Sequence, residues 1–268
     1  MNTSAGSCSL SHCTLDYAAA TDRGRVRKKN EDGFLVLPDQ PVFCVADGAG
    51  GHVHGAEASR LTLESIRFFF TSHASRLQNA AISLSDDTLP LPVFSQGACD
   101  TLLESAILHA NTTVFQKNTQ HKMASTIVAC HFDETRLHIA HIGDSRLYLF
   151  RSGEMRLLTE DHSLVNLLFK KGEISKEQMR NHPKKNVITR AVGTEKDIRP
   201  DVMTTDYLSG DYYLLCSDGL STMMDDREIH AFFLQKNDDI TECCRSFIDE
   251  VNARGGRDNI TVMIIRVH

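Results

Sequence analysis

Apolar positions along this chain fall into short continuous runs that stop at a polar turn, and into longer stretches with helical spacing. The first kind predicts strands. Two come early, from Tyr17 and over Gly33–Leu37, separated by the turn at Arg27–Asp32 and closed by Pro38. Ser125–Phe132, Leu137–Ile142 and Arg146–Phe150 follow, with Asp133-Glu134 and Ser152-Gly153 as hairpin turns, which reads as an antiparallel meander. Val42–Ala46, Tyr212–Cys216 and Ile260–Val267 complete the set. The second kind predicts helices. Ala56–Phe70 has a wide apolar face (Ala58, Leu61, Ile66, Phe68, Phe69), and Gly97–Lys117 repeats Leu103, Ile107, Ala110 and Val114 at i, i+4, i+7, i+11. Asp226–Gln235 and Ile240–Asn252 follow, the latter with Ile240, Cys244, Phe247 and Val251 on one face. Helices therefore come in pairs around runs of strands, not in βαβ alternation, which predicts an α+β layered domain with antiparallel sheets.

Three stretches lack either period. Residues 1–13 are polar and small and predict a flexible leader ahead of a domain spanning 14–268. Residues 71–96, with Pro90 and Pro92, predict a loop between two helices. Residues 160–200 are basic, with His162, Lys170, Lys171, Arg180, His182, Lys184 and Lys185, and predict short surface helices.

Composition narrows the function. A net charge of −6 leaves no basic surplus to neutralise phosphates, so nucleic acid is not the expected partner. No apolar run reaches the length of a membrane span, and the N-terminus lacks the pattern of a signal peptide, so neither membrane insertion nor export is expected. Of eight cysteines, Cys44, Cys130 and Cys216 sit inside apolar runs and none forms a C-x-x-C pair. That usage fits a reducing compartment and a cytoplasmic protein.

Four of the predicted strands have an aspartate at one end: Asp47, Asp144, Asp218 and Asp258. One such residue is an ordinary turn; four suggest strand ends that converge. Carboxylates about 4 Å apart repel by roughly 4 kcal/mol per pair at an effective dielectric near 20. A cluster of them calls for a cation, and oxygen-only ligands favour Mg²⁺ or Mn²⁺. The chain has no G-x-S-x-G elbow, P-loop or H-E-x-x-H motif to support another hydrolytic class.

The segments carrying these aspartates also follow a known order. Asp22-Arg23-Gly24-Arg25-Val26-Arg27-Lys28-Lys29-Asn30-Glu31-Asp32, Val45-Ala46-Asp47-Gly48-Ala49-Gly50-Gly51-His52, Gly143-Asp144-Ser145-Arg146, Ser217-Asp218-Gly219-Leu220 and Asp258-Asn259-Ile260-Thr261-Val262 resemble the motifs of PP2C-type, metal-dependent protein serine/threonine phosphatases, in the form of the bacterial branch. The resemblance implies a four-layer α-β-β-α sandwich, two antiparallel sheets face to face with helices outside, and a flap at about 160–200. It implies two core Mn²⁺ or Mg²⁺ ions and a third, weaker one. Asp47 would bridge the core ions and the Gly48 carbonyl would bind one of them. Asp218 and Asp258 would complete the first ion's set, Glu31 would reach the second through water with Asp32 beside it, and Asp144 would share the third with Asp218. Arg27 would clamp the substrate phosphate, a task suited to its forked, permanently charged guanidinium. The position where animal members carry a proposed general-acid histidine is Ala49 here, and His52 is assigned to turn packing or hydrogen bonding rather than to catalysis. The implied activity is hydrolysis of phosphoserine and phosphothreonine in proteins by a metal-activated water. The substrates would be targets of a cognate Ser/Thr kinase, and the enzyme a monomer. The alternative is a catalytically weak phosphoprotein-binding regulatory domain; the complete set of aspartates argues for activity.

Overall fold

The structure is a computed structural model that describes residues 1–49, 54–83, 98–119 and 123–268, with side chains outside 73–83 and 98–101. Its centre is a pair of antiparallel sheets. The first has the order β1 (Asn2–Ser9), β2 (Thr14–Asp22), β12 (Ile260–Val267), β11 (Tyr212–Cys216), β8 (Arg146–Arg151), β9 (Glu154–Leu157). The second has the order β10 (Asp201–Thr205), β7 (Leu137–Ile142), β6 (Ile127–Phe132), β4 (Val42–Ala49), β3 (Asp32–Leu37), and the short β5 (Ala124–Ser125) pairs with the end of β4.

Three apolar clusters define the layers. Phe43, Val45, Phe132, Tyr213, Leu215 and Met263 pack between the sheets. Cys44 and Ala46 pack with Ile66 of α1 (His54–Ser83) and Ile107 and Ala110 of α2 (Ala98–Lys117). Leu214 and Ile264 pack with Phe233 of α6 (Asp226–Lys236) and Phe247 of α7 (Ile240–Ala253). Strand β4 shows why its sequence is apolar over Val42–Ala46: odd positions face the other sheet and even positions face α1 and α2, so both faces are buried. The helices α3 (Leu164–Lys170) and α4 (Lys176–Asn181) form the small surface unit expected within 160–200.

The chain differs from the sequence reading in four places. Residues 1–13, expected as a leader, supply β1, which pairs with β2 from Asn2↔Thr21 to Ser9↔Thr14. This is an edge strand with only Cys8 buried, so the backbone ladder holds it and no apolar pattern marks it. Helix α1 runs on to Ser83, through the first half of the expected 71–96 loop; the loop's remainder, 84–96, lies outside the described residues. The expected meander is split: β6 and β7 form a hairpin in one sheet, and β8 and β9 form another in the opposite sheet. Finally, β10 was not anticipated, because it too is an edge strand, with only Val202 and Met203 apolar.

Candidate active site

The sheet register brings the acidic residues together. Asp32 and Asp47 are directly opposed across β3 and β4. Like charges so placed destabilise a sheet unless something offsets them. On the neighbouring sheet, Cys216 pairs with Val262, so Asp218 just past β11 and Asp258 just before β12 lie at the same end of adjacent strands. Asp144 sits in the turn that carries the chain from β7 in one sheet to β8 in the other, a turn that starts at Gly143 with φ 111°. Thr126 ties this turn to β4: Asp47 N donates to Thr126 Oγ1 at 3.1 Å, and Thr126 Oγ1 bonds Ser145 Oγ at 2.7 Å.

The convergence of these groups has an electrostatic consequence. Burial, and then the charges of Asp32, Asp218, Asp144 and Asp258, push the Asp47 carboxyl well above the usual carboxylate range. Asp144 is raised well above that range by burial and by Asp218. Asp218 is pushed up to about 6 by burial and Asp258, against the opposing pull of a hydrogen bond with the Asp47 carboxyl. Asp32 is pushed up to about 7 by burial, although its Oδ2 accepts hydrogen bonds from Ser217 Oγ at 2.7 Å and Thr261 Oγ1 at 2.8 Å.

Two further features hold backbone segments close together. A Cβ on Gly48 would collide with the Gly55 carbonyl, and one on Gly55 would stand 2.6 Å from Glu31 Oε2, so glycine at both positions allows β4, the start of α1 and Glu31 to meet. Asn259 ties the loop before Glu31 to β12. Its Nδ2 donates to Arg23 O and Lys29 O, both at 2.9 Å, and its Oδ1 accepts from Glu31 N at 2.8 Å.

Arg27 reaches the rim of the cluster, where Nη2 donates to Asp258 Oδ2 at 2.7 Å. The Arg27 side chain is 44% exposed and so accessible from solvent. Thus Arg27, Glu31, Asp47, Gly48, Asp144, Asp218 and Asp258 all gather at one edge of the sandwich. His52 lies outside the described residues.

A divalent cation fits this donor set. The buried oxygens Glu31 Oε1 and Asp32 Oδ1 have no hydrogen-bond partner, the charges that act on Asp32 and Asp47 are those of carboxylates, and Arg27 reaches Asp258 from the rim. Unpartnered buried acceptors beside mutually repelling carboxylates are what a hard, oxygen-seeking ion satisfies.

The sequence reading gave no role to the residues that brace the site. Ser217 and Thr261 hold Asp32. Arg146 forms a two-pronged pair with Asp161, Nε to Oδ1 at 2.9 Å and Nη2 to Oδ2 at 2.7 Å, and also reaches Asp226. His162 exchanges two bonds with Gly143: its N donates to Gly143 O at 2.9 Å and its Nδ1 accepts from Gly143 N at 3.1 Å. His162 also stacks on His141 and faces Asp201. These three could group about an ion, but the Arg190 guanidinium already stands there, 2.8 Å from both His162 Nε2 and Asp201 Oδ1. Only the polar side chains themselves hinted at such roles, since each bond joins segments far apart in the chain.

Comparison with known proteins gives one consistent result. The family described as protein phosphatase 2C matches residues 23–250. "Serine/threonine phosphatase stp" of Listeria innocua is 36% identical over 248 residues, covering 91% of this chain and 93% of the relative. The crystal structure of the Mycobacterium tuberculosis serine/threonine phosphatase PstP/Ppp superposes with a TM-score of 0.79 at 31% identity, covering 94% of this chain and 98% of the other. The PstP catalytic domain in complex with two manganese ions gives a TM-score of 0.77 at 32% identity, covering 94% and 98%.

Proposed function

The chain belongs to the protein phosphatase 2C family, and on that footing we propose that it hydrolyses phosphoserine and phosphothreonine esters in proteins with the help of Mn²⁺ or Mg²⁺. The observation that carries this reading is the convergence of Asp47, Asp144, Asp218 and Asp258 from both sheets beside the unpartnered oxygens of Glu31 and Asp32. The names of the relatives and the manganese complex of a structural neighbour support it. We assign Asp47, the Gly48 carbonyl, Asp218, Asp258 and Glu31 as the groups that would hold two core ions, and Asp144 with Asp218 as those for a third. Bound there, the ions would supply the Lewis acidity that activates water as the nucleophile.

The chain's own groups do the rest. Asp258 holds the Arg27 guanidinium at the mouth of the cluster, and a guanidinium that lets go of one carboxylate oxygen can offer the same fork to a phosphoryl group. Its charge would offset what builds up on the equatorial oxygens during in-line displacement. Asn259 keeps the Arg27–Glu31 loop at a fixed distance from Asp258. Gly48 and Gly55 leave no side chain between Glu31, the end of β4 and the start of α1.

The retained aspartates favour an enzyme over a weak regulatory binder. We further assign its substrates as targets of a cognate Ser/Thr kinase, its state as a monomer and its location as the cytoplasm. The last fits the free thiols of the cysteines whose side chains are described. No helix among those residues is long and apolar enough to cross a membrane. The test is phosphate release from a phosphothreonine peptide with Mn²⁺, with Mg²⁺ and in EDTA. Size-exclusion chromatography with light scattering tests the monomer.

A further inference from the structure

A groove of about 440 Å³ leads away from Asp144 and Asp218. One wall is α4 and the loop after it; the other is the short helix α5 (Asp218–Ser221) and the start of α6. Arg180 of α4 spans to Asp225, the N-cap of α6, with Nη1 2.9 Å from Oδ2, and so sets the spacing of the two walls. Val165 and Met179 add apolar surface to the lining.

The charges along this groove do not cancel. Asp144 and Asp218 belong to the acidic cluster. Arg146 is taken up by Asp161 and Asp226, and Arg180 by Asp225. That leaves Lys176, Lys185 and Arg227 lining the groove without an ion-pair partner among the described residues, against Glu177 and the second of the two carboxylates that share Arg146. A groove lined by the acidic cluster and, apart from it, by more unpaired cations than acids favours a chain that brings negative charge with it.

We propose that this groove receives the polypeptide flanking the phosphoresidue, and that Lys176, Lys185 and Arg227 select substrates with acidic side chains near the phosphorylation site. The inference rests on the phosphatase reading above and adds the class of protein segment the enzyme prefers. Exposed ion pairs are individually weak, so the selection is a sum over several contacts and is sensitive to salt.

The experiment compares phosphothreonine peptides carrying three glutamates or three lysines, on either side of the phosphothreonine in turn, with p-nitrophenyl phosphate as a substrate too small to reach the groove. For wild-type protein with Mn²⁺, the acidic peptide on at least one side should have a kcat/KM on the order of tenfold above its basic counterpart, through KM, and the difference should shrink in 0.5 M salt. The triple variant Lys176→Glu, Lys185→Glu, Arg227→Glu should reverse the preference and keep its rate on p-nitrophenyl phosphate. If the triple variant loses that rate, Lys176→Ala with Lys185→Ala takes its place, and should reduce the preference severalfold. Equal rates on acidic and basic peptides, or a preference that survives these substitutions, overturns the groove assignment while leaving the phosphatase reading intact. No turnover of either peptide or of p-nitrophenyl phosphate by wild-type protein overturns both.

Discussion

Replacing Asp218 by asparagine should abolish turnover and at the same time stabilise the metal-free protein. In the folded chain the Asp218 carboxyl sits at about 6 against an ordinary 3.8, chiefly because it is buried and then because Asp258 is near. A folded value above the unfolded one means that the unfolded chain sheds this proton first as the pH rises. The group's contribution is therefore neutral below about pH 4 and becomes a growing penalty between pH 4 and 6, constant thereafter. The gap between 3.8 and 6 corresponds to about 3 kcal/mol, shared with the neighbouring carboxylates. Asparagine has nearly the same shape, no charge, and an amide that can donate to the Asp47 carboxylate. In EDTA at pH 8 the variant's melting temperature should rise by as much as roughly 6–12 °C, and near pH 4 it should match wild type. Added Mn²⁺ should then raise the wild-type melting temperature and move the variant much less. Scanning calorimetry across this pH range is the assay. An Asp218→Asn protein that melts below wild type at pH 8 in EDTA would refute the idea that carboxylate repulsion strains this site.

Further predictions concern the rim, the braces and the core. Arg27→Ala should lower kcat/KM for phosphopeptides about tenfold or more, as expected for a lost charged hydrogen bond, while Arg25→Ala and Lys28→Ala change little in steady-state assays. Because Arg27 also occupies Asp258, its removal should leave Mn²⁺ affinity unchanged or tighten it by up to about fivefold in calorimetric titration, the range of an exposed pair. His162→Asn keeps an acceptor near the position of Nδ1 and should retain Mn²⁺ affinity within a few-fold, whereas His162→Gln loses the bond from Gly143 N and should bind Mn²⁺ more weakly; equal affinities would remove His162 from the support of the Asp144 turn. His131 is held down to about 4 from 6.5, by burial first and by His138 second, so the unfolded chain takes up this proton first as the pH falls. The His131 contribution to stability should therefore fall by about 3 kcal/mol between pH 6.5 and 4, opposite in sign to the relief of the buried carboxylates, and His131→Leu should gain on wild type by that amount as the pH is lowered in urea titrations.

Much of the site was legible because an aspartate that interrupts an apolar run is visible without knowledge of the fold. Asp47, Asp144, Asp218 and Asp258 all announce themselves in this way, and the sheet registers bring them together. The doubly buried strands and the amphipathic α7 were legible for the same reason, since burial writes a period into the chain. What stayed hidden is held by backbone or by distant partners. β1 and β10 are edge strands that bury few side chains. The change of sheet at Gly143 depends on what the turn packs against, and a Cβ there would press on Thr126. The contact of Arg27 with Asp258, and the hold of Ser217 and Thr261 on Asp32, join residues from opposite ends of the chain that only the folded sandwich makes neighbours.

The measurement that bears most directly on the account is the rate of phosphate release from a phosphothreonine peptide by wild-type protein and by Asp47→Asn, each with Mn²⁺ and in EDTA, alongside circular dichroism of both. The account predicts turnover by wild type with Mn²⁺, none in EDTA, restoration when Mn²⁺ is returned in excess, and no turnover by a folded Asp47→Asn under any condition. Undiminished turnover in EDTA, or by Asp47→Asn with the wild-type spectrum, would contradict the assignment of the converged aspartates as a catalytic metal centre.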